Sequence, residues 1–411
     1  MHKHCLIGLC AVAVMLAPPA AGAAGDEAET AKLEKQRCPR PSEFASVFSF
    51  GYGSDRMPTD DAKFEKLLAK IEAGGFNVVH CSYTPKRLEL CKAGGVRMMI
   101  DFLDAANHHV YKNVDGAKAV AAKVAGDRGV WGYNIWNESF GKTGPGRRRD
   151  ILNVRRWDPT HPAYCGTYRT YGMRHLAGSD VFGYYDYHWK RGPHYHFPHL
   201  MSYWRAAKAN DSRFYRWVST DSGLAGKGNF NRSLYTANTS VACGLKGILW
   251  FIGTRMMNLA TLEWTTIGGD ITKVNAEIMP LSRELAGLGN PVAVHTTPIT
   301  KTLKDRALPD GKTSMLPGGL EKHAFGKDFW IQPVGGEFVM GVFKDARNRD
   351  AVFVANHNTY AEQAVKLKLA KPLKVHMFSR KQRKWQPLDV ADNTITFKLP
   401  PAGGELLRFE K

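Results

Sequence analysis

The stretch Val130-Trp131-Gly132-Tyr133-Asn134-Ile135-Trp136-Asn137-Glu138 decides the fold. It is an apolar and aromatic run of strand length that breaks into an amide and a carboxylate. A strand apolar on both faces belongs to a buried parallel sheet. What surrounds it settles which kind of sheet.

Upstream, residues 46–50 form a first strand, ended by Gly51 and Gly53. Residues 60–73 carry helical spacing, with Phe64, Leu67, Leu68 and Ile71 on one face. Residues 76–80 and 96–100 are the second and third strands, the latter closed by Asp101, and helical stretches fit 87–93 and 116–124. Downstream, strands are expected at 163–166, 181–185, 214–218 and 247–251, with helices near 198–209, 231–243 and 271–288. Eight strands alternating with helix-length segments over about 250 residues predict an α/β chain built as a (β/α)8 TIM barrel. A doubly wound open sheet is the alternative, but no G-x-G-x-x-G follows a strand.

After Leu288 the pattern changes to period-two runs with Gly, Asp and Asn turns, at 338–343, 351–355, 365–369, 375–378 and 394–399. These predict a smaller antiparallel β-sandwich. The chain opens with Met1-His2-Lys3-His4, an apolar run over 5–16 and small residues over 20–25. That is the layout of a cleaved secretory signal peptide, and the apolar run is too short to span a bilayer. The expected plan is a signal peptide over 1–25, a charged linker over 26–40, a barrel over 41–290 and a sandwich over 291–411, in a secreted or periplasmic protein with no integral membrane segment.

The formal charge of +19 over 411 residues favours polyanions. Outside the cytoplasm, a sulfated or uronic polysaccharide fits that charge better than nucleic acid, and no zinc-finger, RNP or helix-turn-helix motif is present. A basic bias without ligand meaning is the alternative. Cys38, Cys81, Cys91, Cys165 and Cys243 follow the leader; their odd number and the lack of a C-x-x-C pair point to neither a zinc site nor a dense disulfide scaffold. One or two bridges are compatible with an oxidising compartment, and simple burial is expected for an unpaired thiol. His194, His196 and His199 have metal-like spacing, but no carboxylate or Cys set completes a site, so neither a metal nor a cofactor is expected. Arg147-Arg148-Arg149 and Arg155-Arg156 read as solvated charge or, because they follow Glu138 closely, as anion contacts.

In a (β/α)8 barrel, chemistry sits at the C-terminal ends of the strands. That rule selects Asp101 after strand 3, Asn137 and Glu138 after strand 4, Tyr184, Asp186 and His188 at strand 6, and Asp221 after strand 7. Trp250 on strand 8, with Glu263 and Trp264 beyond it, completes the set. Paired carboxylates can protonate a leaving oxygen and attack or activate water, as glycosidic cleavage requires. Asp101, Tyr184, Asp186, His188, Trp250, Glu263 and Trp264 are the expected substrate contacts, with Asn137.

The segment 131–138 resembles the fourth-strand motif of the clan A glycoside hydrolases. That resemblance implies Glu138 as the acid/base and Asn137 as a binder of the sugar beside the cleaved bond. Asp158-Pro159-Thr160-His161-Pro162 resembles the clan's approach to strand 5, residues 242–251 resemble its last helix and Trp-bearing strand 8, and the C-terminal sandwich resembles a common accessory domain. One departure stands out: the clan ends strand 7 with a nucleophilic Glu, whereas Trp217-Val218-Ser219-Thr220-Asp221 offers only an Asp. Asp221 is then the nucleophile of a retaining enzyme, the base of an inverting one, or a structural residue whose place is taken by Asp186, Asp101 or Glu263. The competing reading is a non-catalytic glycan-binding barrel with a decayed nucleophile position.

Overall fold

The computed structural model describes residues 21–50, 57–102, 113–136, 144–167, 179–185, 197–219, 229–300 and 313–410. Eight parallel strands close into a barrel: β1 (Ala45–Ser49), β2 (Val78–Cys81), β3 (Arg97–Asp101), β4 (Val130–Trp136), β5 (Ala163–Thr167), β6 (Val181–Tyr185), β7 (Arg213–Ser219) and β8 (Gly247–Phe251), with β8 pairing back onto β1. All eight expected strands are present.

Each strand alternates between barrel interior and helix layer. Ala45, Val47, Val78, Met99, Trp131, Tyr164, Val181, Tyr215 and Leu249 fill the interior, with Tyr185 and Trp217. Strand glycines admit the tyrosine rings: a Cβ on Gly183 would lie 1.5 Å from Tyr164 Oη, and one on Gly247 would lie 2.1 Å from a ring carbon of Tyr215. The register of β3 against β4 shifts at Trp131, which changes the parity downstream and brings Asn134 opposite Asp101.

Around the barrel lie α1 (Ala21–Lys35), α2 (Asp61–Ala73), α3 (Pro85–Ala93), α4 (Val114–Val124), α5 (Gly144–Trp157), α6 (Phe197–Ala209), α7 (Phe230–Ala242), α8 (Gly253–Met256), α9 (Thr266–Ile278) and α10 (Ser282–Gly287). Helix α2 shows the expected logic: Asp60 caps the Lys63 amide at 2.7 Å, and the apolar face of Phe64, Leu67, Leu68 and Ile71 is buried. Burying each of those side chains contributes roughly 1.5–3 kcal/mol.

Helix α1 corrects the linker expected over 26–40. It packs on α5 through complementary charge: Arg156 Nε donates to Glu29 at 2.8 Å, Arg148 pairs with Glu34, and buried Arg155 donates to Leu33 O at 2.6 Å. Arg155 also reaches Asp180 at 2.7 Å. These arginines of the 147–156 run are therefore engaged in holding α1.

A short hairpin, β9 (Met257–Asn258) and β10 (Glu263–Trp264), precedes α9. The C-terminal region then contributes β11 (Ala293–Thr296), β12 (Ile299–Thr300), β13 (Ser314–Met315), β14 (Ile331–Gly335), β15 (Phe338–Lys344), β16 (Asp350–Asn356), β17 (Gln363–Leu369), β18 (Lys374–Ser379), β19 (Lys384–Leu388), β20 (Val390–Ala391), β21 (Thr394–Leu399) and β22 (Gly404–Glu410). Antiparallel sheets of order β11-β15-β16-β22-β18-β19 and β14-β17-β21-β20 enclose a second core that includes Ile331, Met340, Val354, Leu367, Ile395 and Leu407.

Helix α7 joins the two regions. Ser233 to Ala242 are all buried, although half of them are polar, because the barrel covers one side and β15–β16 the other. Several of these polar groups are paired: Thr239 Oγ1 donates to Tyr235 O at 2.6 Å, Asn238 Nδ2 to Ala402 O at 2.9 Å, and Arg216 to Ser240 Oγ at 2.8 Å. A Cβ on Gly341 would meet Ala242 O at 1.9 Å, so the sheet backbone lies directly against the helix. Cys38, Cys81, Cys91, Cys165 and Cys243 are all buried, and no disulfide joins any two of them. Among the described residues no helix is long and apolar enough to cross a membrane.

Candidate active site

The C-terminal ends of β1 to β4 bring a polar cluster to the top of the barrel interior. Ser49 Oγ lies 2.9 Å from His80 Nδ1, and Asn134 Nδ2 lies 3.1 Å from His80 Nε2. The same Asn134 amide donates to Asp101 Oδ1 at 3.2 Å, while His80 Nε2 and Asp101 Oδ1 are 3.5 Å apart. An amide donor facing Nε2 needs that nitrogen as an acceptor, which puts the imidazole proton on Nδ1, towards Ser49. His80 is fully buried, and the Asp101 side chain is 5 % accessible.

Across the barrel, β6 to β8 supply aromatics. Tyr185 and Trp217 stack at 5.5 Å, Phe251 meets Trp217 edge-on at 5.6 Å, and Trp217 meets the His80 ring edge-on at 5.8 Å. Two polar atoms of this layer, Asn134 Oδ1 and Trp217 Nε1, are buried without a hydrogen-bond partner among the described residues.

Of the expected site residues, the structure brings Asp101 to this layer. Asn137, Glu138, Asp186, His188 and Asp221 lie outside the described residues, as do His194 and His196. The described ends of β4 and β7 nevertheless fix one relation: Glu138 follows Trp136, and Asp221 follows Ser219, each by two residues.

Four expected contacts lie away from this layer. Tyr184 faces the helix layer, stacked on Tyr203 at 4.3 Å with the Arg216 guanidinium 5.4 Å from its ring centre. Trp250 also faces outwards and is buried; its Nε1 donates to Ser46 Oγ at 3.1 Å, which donates to Asn275 at 2.8 Å. Trp264 stacks on Phe76 at 5.8 Å near the N-terminal start of β2. Glu263, its neighbour in the hairpin, is exposed and, among the described residues, its carboxylate accepts from the Thr261 hydroxyl at 3.4 Å. The strand parity that turns Tyr184 and Trp250 outwards turns Tyr185 and Phe251 inwards.

The sequence reading missed Ser49, His80, Asn134, Tyr185 and Trp217. One signal was available: His80 and Ser49 are polar residues at the ends of otherwise apolar strands.

The Asp158-Pro159-Thr160-His161-Pro162 motif lies at the opposite end of the barrel. Asp158 is fully buried and accepts from Tyr133 Oη at 2.5 Å, His161 Nδ1 at 2.6 Å and the Thr160 amide at 2.9 Å. Burial pushes its carboxyl up, but the hydrogen bonds from His161, Thr160 and Tyr133 outweigh that and hold it at about 2. The Tyr133 hydroxyl is pushed up by burial and by the same carboxylate.

With this geometry in place, solved structures of the same architecture can be compared. One described as a glycoside hydrolase superposes with a TM-score of 0.55 at 11% identity, covering 90% of this chain and 92% of its own. A glycoside hydrolase family 5 protein from Bacteroides vulgatus superposes with a TM-score of 0.50 at 12% identity, covering 90% and 89%. The fold is that of solved glycoside hydrolases. At these identities the likeness concerns architecture: the barrel and the C-terminal sheets superpose together. No protein-family model matches the chain, and no curated relative matches it.

Proposed function

We propose that the chain is a secreted glycoside hydrolase acting on an oligo- or polysaccharide, with Glu138 as acid/base and Asp221 as the nucleophile of a retaining mechanism. The feature that carries this reading is one of sequence: Glu138 and Asp221 each follow by two residues the last residue of a barrel strand, β4 and β7, at the end where this fold carries chemistry. Asp101 on that rim, held by the Asn134 amide, supports it as a hydrogen-bond acceptor for a sugar hydroxyl. The apolar run over 5–16 supports export.

In the first step Asp221 attacks the anomeric carbon while Glu138 gives its proton to the departing glycosidic oxygen. In the second, Glu138 takes a proton from water, which attacks the same carbon and releases Asp221. Glu138 must hold its proton near neutral pH, which burial of a carboxyl favours.

A screen of purified protein on neutral, uronic and sulfated polysaccharides, with product size and anomeric configuration followed by NMR, tests the proposal. Products of retained configuration are expected, inverted products would make Asp221 a base, and absence of turnover on every class refutes the enzyme reading. The shorter carboxylate on strand 7 favours one competitor, a glycan-binding barrel, which predicts binding without products.

A further inference from the structure

The N-terminal face of the barrel, opposite the catalytic rim, holds two cavities that this chemistry does not use. One, of about 390 Å³, lies between segment 39–43 and the starts of β3, β4 and β5, with Arg40, Arg97 and Arg128 in its wall. The other, of about 300 Å³, lies between α10 and the turn joining β15 to β16, where Arg283, Arg347, Arg349 and Arg408 surround Trp385. Glu43 links them, its carboxylate lying 3.8 Å from Arg97 and 3.7 Å from Arg283.

Some of these cations build the walls. Arg40 is held by Asp211 at 3.0 Å, and Arg349 bridges Asp345 at 2.8 Å and Glu410 at 2.9 Å. Arg408, 3.1 Å from Glu410, lies over the Trp385 ring with its guanidinium 4.5 Å from the ring centre. The others are left over. Arg97 and Arg283 share one carboxylate beyond hydrogen-bond range, and among the described residues no carboxylate pairs with Arg128 or Arg347. The two cavities together present seven arginines against three carboxylates. Guanidinium forks match the paired oxygens of carboxylate and sulfate, and a half-buried indole offers an apolar surface to a sugar ring.

We propose that this face is a non-catalytic binding groove for an acidic polysaccharide. Uronate or sulfate groups meet Arg97, Arg128, Arg283 and Arg347, and a sugar ring rests beside the Arg408–Trp385 stack. The proposal shares the saccharide ligand of the hydrolase reading but does not depend on turnover. The net charge of +19 draws the polymer in, and the groove keeps it close while the opposite rim cleaves.

The test is titration calorimetry on the Glu138→Gln protein at about 0.15 M salt, where long-range charge is largely screened. The probes are polygalacturonate, chondroitin sulfate, neutral mannan and duplex DNA. Polygalacturonate or chondroitin sulfate is expected to bind more tightly than mannan or DNA. Reversing the two exposed charges in an Arg283→Glu/Arg347→Glu double variant is expected to weaken that binding about tenfold or more, and Arg128→Glu to weaken it through the other cavity. In the Glu138 background, the double variant keeps its turnover of short soluble substrates. Unchanged affinity in both variants, equal binding of mannan, or DNA binding as tight as the better polysaccharide would each overturn the proposal. Failure here leaves turnover untouched, and failure of the hydrolase reading leaves this binding intact.

Discussion

Asp101 and Asp158 are the same residue type at opposite ends of one barrel, and they serve different purposes. Asp158, before β5, is closed off from solvent and saturated by hydrogen bonds, three of them from its own turn. Asp101, at the end of β3, accepts at longer range from Asn134 on the neighbouring strand. The first arrangement is what stability selects: a charge buried with every donor it needs. The second leaves a carboxylate at the end of the barrel where we propose the substrate binds. On the proposed function, structural carboxylates belong to one end of this barrel and chemical ones to the other.

The sharpest way to break that contrast is at the upper end. Asp221→Asn is expected to lower kcat by about a thousandfold or more, with an unchanged melting curve; a variant that turns over normally removes Asp221 from the chemistry. At the lower end, Asp158→Ala strands the Tyr133 hydroxyl and His161, and is expected to cost about 3 kcal/mol in urea unfolding while kcat of the folded fraction stays near wild type. Its pH dependence follows from the depressed carboxyl. The stabilisation, about 2 kcal/mol, is fully present above pH 4 and is lost as pH falls from 4 towards 2, and acid unfolding of Asp158→Asn should lack that component. Asp101→Asn keeps the shape but removes the charge, and about a ten- to hundredfold loss in kcat/KM is expected with little change in stability. Trp250→Phe is expected to change kcat/KM by less than about twofold and stability by about 1 kcal/mol, since the ring fills the wall and loses one hydrogen bond.

Much of this architecture was legible because its determinants are local. Runs such as 78–81 and 247–251 are too apolar for anything but a buried strand, and the amphipathic face of α2 is written in four residues. Which side chains face the barrel axis was not legible. A strand buried on both faces has no polar side to mark the orientation, so Tyr184 and Tyr185, or Trp250 and Phe251, look equivalent until the register is known. Asp101 could be placed because a carboxylate ends its strand. His80 lay hidden among apolar neighbours, and its meaning comes from Ser49 and Asn134 on other strands. Helix α1 escaped notice because its stability comes from arginines more than a hundred residues away. The C-terminal sheets were read correctly as an antiparallel unit, but their close contact with α7 depends on Gly341, whose role no pattern announces.

The most direct test of the central claim is turnover by Glu138→Gln on whichever polysaccharide the wild-type protein cleaves, with binding of that substrate measured alongside. The amide cannot supply the proton, so a fall in kcat of about a hundredfold or more with undiminished affinity is the predicted result. Turnover equal to wild type would contradict the assignment of Glu138 as the proton donor and, with it, the account of the upper rim as the catalytic end.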